Sequence, residues 1–454
     1  MPPDGTPDPA EPQPPMAVDA GPDAEAAPDL TAAAVDVVPP EIVAQSLGQY
    51  LRAWLARARG GDAGVLPVAV ALVLVTVVFT LVSPNHVFLS PSNLVNLFDQ
   101  SAVFIVLAMG EGFVLLLGEI DLSIGYVAGI GAIVAAQLVQ PSPNLPWWIA
   151  IAAALVVCGL IGLIHGLIIT RLGIPAFIVT LAGYLIWFGV MIVMIGPAGG
   201  VSITSSILPN QQALFGIVNA YIDPVVAWIG LGLIVVLLGG SLWLRDANRR
   251  RSGLVAPPVG LTLAKIVAIA VAGAAVVAIT SLNRGRNIPI IGMPWVVPVV
   301  LVVLAIGTVF LERTAFGRHM YAVGGNSEAA RRAGINVPRV RTVAFILCSA
   351  TAGLAGVIYL SQIGGITTNI AGGSLVLYAV AATVIGGTSL FGGRGRAIHG
   401  LLGGLVIGAI YNGLYLLGLP IQYQLIITGL VLLAAVSIDS LSRKGAGAGR
   451  SARA

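Results

Sequence analysis

Two carboxylates and a serine stand where two apolar runs nearly touch: Glu119, Asp121 and Ser123, in Gly118-Glu-Ile-Asp-Leu-Ser-Ile-Gly125. Acidic side chains near membrane depth are costly unless paired or hydrated, which makes them functional candidates in their own right. Three chemistries suit them. They can carry protons, touch a transported solute, or, for Asp121 and Ser123, cap the helix that follows. Glu111 adds another ionisable group in the middle of the preceding apolar run.

A second group lies in the polar, basic segment 315–335. In a chain of which 9% is charged, Arg318, Glu328, Arg331 and Arg332 all fall within it. The spacing predicts one short helix, with Asn326 or Ser327 as its cap, Glu328 in its first turn and Gly334 as its terminator. Ala329 and Ala330 are small enough for another surface to approach, and Arg331 and Arg332 offer charge-assisted bonds. Such a helix between two apolar runs is suited to being gripped by a second protein.

A third segment, Val384-Ile-Gly-Gly-Thr-Ser-Leu-Phe-Gly-Gly-Arg-Gly-Arg396, reads as a helix end breaking into a glycine-rich basic turn. A phosphate cradle needs Gly-x-x-x-x-Gly-Lys followed by Ser or Thr, and the sequence holds none. The four histidines are scattered without ligand spacing. Cys158 and Cys348 lie in apolar runs and read as small buried hydrophobes. Metal chemistry and ATP hydrolysis by this chain are both set aside.

The elements that must position these groups are membrane spans. A mean hydropathy of +0.96 places the chain in the membrane class. Apolar runs of spanning length, about 20 residues, occur near 65–83, 94–117, 121–140, 147–169, 174–196, 221–243, 263–281, 293–311, 341–363, 374–392, 397–417 and 421–440. The second and third are barely separated and the tenth is interrupted by glycine, so these are the places for a broken or re-entrant helix. With the N-terminus inside, every basic residue but Arg284 and Arg286 falls on the cytosolic face, including the 315–335 loop. That distribution argues against nucleic acid as a partner. Residues 1–45, acidic and rich in proline and alanine, read as a disordered cytosolic tail rather than a secretory leader. Glycines at 159, 162 and 166, and at 400, 403, 404 and 408, predict close helix packing.

The ordered set of segments at 118–125, 177–183, 314–326, 328–336 and 384–390 resembles the monosaccharide permease family of bacterial ABC importers, the ribose, xylose and galactose group. The resemblance covers roughly residues 65–442. Glu328-Ala-Ala-x-x-x-Gly334 matches the coupling-helix pattern of such permeases. The wording of 315–326 and the extra segment 245–311, with two additional spans, are similar to the xylose-type permease. Glu111 departs from the pattern, which has an apolar residue there; it is a local variation or a group facing the translocation cavity.

The resemblance implies an all-α polytopic permease of about twelve spans, type II-like, with both termini cytoplasmic. The permease domain would be 46–442, with a coupling loop at 312–342 and a basic tail at 443–454. It would work with a separate ABC ATPase that binds ATP-Mg, an extracytoplasmic sugar-binding protein and a second permease copy, amid membrane lipid and with no cofactor of its own. Arg318, Tyr321, Gly324, Gly325, Asn326, Glu328, Ala329, Ala330, Arg331 and Gly334 are then the coupling residues. Glu111, Glu119, Asp121, Ser123, Thr180 and Thr388 are the pathway candidates. A proton-coupled secondary transporter using Glu111, Glu119 and Asp121 is the rival from another class.

Overall fold

The computed structural model describes residues 65–437 except 206, 255, 286–287, 369–371, 421, 432 and 435–436, together with residues 48 and 52. The tails 1–45 and 443–454 lie outside the described residues. The helices are α1 (Leu66–Val82), α2 (Pro91–Leu115), α3 (Ile124–Leu138), α4 (Trp147–Leu172), α5 (Ala176–Ile195), α6 (Pro209–Asn219) and α7 (Pro224–Arg251). They continue as α8 (Val259–Ser281), α9 (Val296–Arg313), α10 (Ala315–Gly325), α11 (Ser327–Arg332), α12 (Val337–Ile363), α13 (Gly372–Ile385) and α14 (Ala397–Leu416).

Local chemistry sets many of these boundaries. Proline opens α2, α6 and α7 and immediately precedes α4, α5 and α8, where its missing N–H costs nothing. Gly173 and Gly364 end α4 and α12 in the left-handed conformation, at φ 69° and 74°. Ser90 caps α2 and Asp223 caps α7 through their side-chain oxygens.

Eight described helices are long and apolar enough to cross a membrane, and α1, α3 and α13 are shorter apolar helices. The chain is an all-α polytopic protein. The 15-residue α3 rises only about 22 Å, short of a hydrocarbon core of about 30 Å. Helix α13 stops at Ile385, well before the expected end at 392. The last expected span, 421–440, falls partly outside the described residues; 422–431 are helical.

One expectation is corrected. Segment 315–335 holds two helices, α10 and α11, where the sequence predicts one. Thr314 starts α10 by accepting the Gly317 N–H (3.0 Å), and Met320 and Val323 are buried beneath it. Gly324 and Gly325, expected as loop, form its last turn. Asn326 then adopts an extended backbone (φ −159°) and starts α11.

The core is organised around α12, which packs against α2, α3 and α4. Bare glycine faces set the spacing. A Cβ on Gly162 of α4 would lie 2.2 Å from the Phe345 carbonyl oxygen, and one on Gly356 of α12 would lie 1.9 Å from that of Ala128. Helix α14 uses Gly404 and Gly408 in the same way against Ile105 and Ser101 of α2. Helices α7 and α8 pack mainly on each other, to one side.

Two short antiparallel ribbons tie loops together at one end of the bundle. In one, β1 (Gly200–Ser202) pairs with β4 (Gly365–Thr367), Val201 opposite Ile366; in the other, β2 (Tyr221–Ile222) pairs with β3 (Met293–Pro294). The opposite end carries α10, α11 and the glycine-rich turn 386–396, and is here termed the basic end.

Candidate functional site

Helix α11 lies at the surface of the basic end. The Asn326 side chain accepts the N–H groups of Glu328 (3.1 Å) and Ala329 (2.9 Å), which fixes where the helix begins. Only Ala330 is buried; Glu328, Ala329, Arg331 and Gly334 are exposed. Glu328 meets Arg332 at 3.3 Å and Arg331 at 3.7 Å. Exposed pairs of this kind contribute about 0–1 kcal/mol, so both arginines can exchange partners at little cost. Gly334 has φ +83° and nothing within 4 Å of where a Cβ would stand. Its requirement for glycine comes from its backbone conformation.

Helix α10 fastens this surface to the bundle. The Tyr321 hydroxyl donates to the Gly395 carbonyl (2.7 Å), and Glu312 pairs with Arg396 (2.7 Å). Burial, with the Glu312 carboxylate adding to it, pushes the Tyr321 phenol above its ordinary value. Arg318 donates to the carbonyl of Thr314, the residue that starts its own helix (3.3 Å), and stays exposed. A Cβ on Gly324 would lie 1.8 Å from the Leu116 carbonyl oxygen, which accepts the Gly393 N–H at 2.9 Å. Three backbones therefore meet here: the ends of α2 and α10, and the glycine-rich turn. Thr388 belongs to this junction. It is buried against Gly395, and its N–H is bonded to the Thr383 carbonyl.

From Leu116 the chain turns through Gly118 (φ +75°) into the acidic segment. The Glu119 carboxylate has the Arg341 guanidinium of α12 against it. Burial raises its pKa and Arg341 opposes that rise. Glu111 is fully buried; its Oε1 accepts the Asp121 N–H (3.0 Å). Asp121 Oδ1 accepts both the N–H (2.9 Å) and the hydroxyl (2.6 Å) of Ser123, at the start of α3. The Cys348 thiol of α12 reaches Glu111 Oε2 and Asp121 Oδ2, each at 3.8 Å. Thr180 of α5 donates to the Ile120 carbonyl at 3.3 Å.

Glu111, Glu119, Asp121, Ser123 and Thr180 are thus brought together, and all are buried. Asp121 holds the turn that enters α3 through Ser123, while neither Asp121 nor Ser123 gives α3 a side-chain cap, so the capping alternative is not met in that form. Asp121→Asn keeps an acceptor for the Ser123 N–H and is expected to leave uptake within about threefold of the parent. Asp121→Ala removes it and is expected to cost about 1–3 kcal/mol, as a buried donor left unpaired does. Thermal unfolding of the purified variants, beside uptake, checks both.

Two functional-looking residues are not predicted from sequence. Cys348 reads there as a small hydrophobe, yet its thiol lies between two carboxylates. His165 accepts the Trp187 indole N–H (3.0 Å) and lies against Gly183, whose Cβ would stand 2.6 Å from its Nε2. A single His bracketed by Gly162 and Gly166 on one apolar helix was the available signal. No grouping that could hold a metal ion occurs among the described residues.

Comparison with known proteins places this architecture. Residues 93–436 match the family described as branched-chain amino acid transport system / permease component. The chain is 33% identical over 385 residues to the xylose transport system permease protein of Escherichia coli (strain K12), covering 83% of this chain and 92% of that one. It is 34% identical over 386 residues to the corresponding xylose protein of Haemophilus influenzae (strain ATCC 51907 / DSM 11121 / KW20 / Rd), covering 84% and 97%. It is 31% identical over 369 residues to the ribose import permease protein of Escherichia coli (strain K12), covering 81% and 91%. No solved structure matches. Permeases of this family operate with an ATPase and a substrate-binding protein and are not themselves enzymes. The chain belongs to this transport-system permease family, as a multi-pass inner-membrane subunit of a bacterial ABC transporter.

Proposed function

We propose that this chain forms the membrane pathway of an ATP-driven importer for a neutral monosaccharide, D-xylose or a related pentose. Two copies line the pathway. The basic end, with both termini, faces the cytosol, and the ribbon end receives sugar from the binding protein. The cargo rests on the likeness to the xylose and ribose permeases. The orientation rests on the placement of the basic residues.

The observation that carries the coupling role is the exposed helix α11 joined by a four-residue turn to α12. Helix α12 grips the acidic segment at two points, Arg341 on Glu119 and Cys348 on Glu111 and Asp121. An ATPase that moves α11 therefore moves α12, and through it the junction between α2 and α3. Each contact is short-range and discrete, as a two-position element requires.

Deleting the partner ATPase is expected to abolish uptake of radiolabelled D-xylose or D-ribose in cells, while an uncoupler applied to intact importer does not. Uptake that survives the deletion and collapses with the uncoupler overturns the reading. Gly334→Trp should also abolish uptake and co-purification of the ATPase, with membrane insertion intact. Gly334→Asn, which tolerates the left-handed conformation, should retain most of both.

A further inference from the structure

At the ribbon end, a cavity of about 280 Å³ opens between α6 and the turn after β1. No charged side chain lines it among the described residues; Thr204, Ser205, Gln212, Phe215 and Asn219 do. That lining is selective. A zwitterionic amino acid would leave its ammonium and its carboxylate without an ionic partner among the described lining residues, which is costly. A neutral polyol needs hydroxyl and amide partners around its rim and an apolar surface for its C–H face.

The polar groups are held in place. Asn219 spends its amide donors on the carbonyls of Phe215 (3.0 Å) and Ser361 (2.7 Å), which leaves Oδ1 as a fixed acceptor. Ser205 Oγ accepts the Ile207 N–H (3.3 Å) and keeps its own proton to donate. The Thr204 and Ser202 hydroxyls lie 2.9 Å apart. Phe215 contributes the ring.

The cavity is built on the last turn of α12. The Ser361 hydroxyl donates to the Phe215 carbonyl (2.8 Å) and accepts the Val218 N–H (3.0 Å). Gly364, at φ +74°, lets Thr204 and Phe215 close over it; a Cβ there would stand 2.6 Å from Thr204 Cγ2 and 3.4 Å from the ring. The walls therefore stand on the same helix that begins beside α11.

We propose that this cavity is a transient subsite for a neutral monosaccharide at the mouth of the pathway, through which α12 senses or releases sugar delivered from outside. The proposal rests on the importer reading above. Its test uses the full importer in proteoliposomes with its ATPase and binding protein, and D-xylose, D-ribose and D-galactose as probes. Asn219→Ala and Ser205→Ala are each compared with the parent for initial uptake of every sugar and for ATPase stimulation by the binding protein. The expected result is a change of at least about threefold in the ratio of uptake between sugars, on the scale of one lost hydrogen bond, with stimulation within twofold of the parent. A uniform fall for all sugars, in proportion to lost stimulation, marks a docking surface and overturns the subsite. So do unchanged ratios. A parent importer that takes up none of the sugars overturns the importer reading instead. Ser205→Ala removes one hydroxyl without touching the anchors of α6, so an unfolded Asn219 variant does not decide the matter.

Discussion

Gly324→Leu is expected to abolish transport, while Gly325→Ala, one residue on, is expected to leave it intact. The contrast is geometric. A Cβ on Gly324 would overlap the Leu116 carbonyl oxygen at 1.8 Å and crowd the Gly393 nitrogen at 2.8 Å, all of it backbone. Backbone cannot rotate aside as a side chain can, so α10 must lift away from the end of α2. A Cβ on Gly325, the last residue of α10, meets nothing within 4 Å, so alanine fits there without displacing a neighbour. Uptake should fall at least about a hundredfold for Gly324→Leu, as a shift of roughly 3 kcal/mol in a required equilibrium does. The ATPase should still bind, because α11 is untouched, so hydrolysis without uptake is the signature. Normal uptake by Gly324→Leu would show that the three-backbone junction does not transmit motion.

Arg341→Glu is the second large effect. Glu119 is 8% exposed and has the Arg341 guanidinium as its ionic partner. Replacing that partner with a carboxylate sets a second negative charge, on a side chain 40% exposed, against the buried Glu119, which disfavours holding both ionised. Uptake is expected to drop at least about tenfold. The charge-reversed double variant, Glu119→Arg with Arg341→Glu, should recover a substantial part of it, and a double-mutant cycle on uptake gives the coupling between the two. Additive losses with no recovery would mean that the residues act separately.

The parts of this molecule that were legible in the sequence are those fixed by neighbours along the chain. Spans follow from continuous apolar length, and the start of α11 follows from an Asn whose side chain reaches two and three residues ahead. The missed helix α10 is informative. Its last turn is Gly324-Gly325, the composition of a loop, and glycine stands at Gly324 because Leu116 passes across it. That neighbour lies far away along the chain, so no local pattern could reveal it. Glu111 was conspicuous as a charge in an apolar run, but its partner, the Asp121 N–H, becomes available only once the chain has turned at Gly118. Cys348 carried no signal, since a thiol among alanines reads as a methyl group until two carboxylates are brought against it. The order of segments sets Thr388 beside the acidic residues as a pathway candidate; the fold puts it in the glycine junction.

Helix α12 is 27 residues long, a rod of about 40 Å, with Arg341 near one end and Ser361 near the other. A tilt of about 10° about its middle would carry each tip roughly 3–4 Å, in opposite directions. Twenty positions separate Arg341 from Ser361, about 200° around the helix, so the acidic segment and the sugar cavity meet nearly opposite faces of the rod. A rigid tilt therefore presses on both contacts or frees both, so opening the two ends of a passage in turn calls for α12 to slide or twist along its axis in place of rocking.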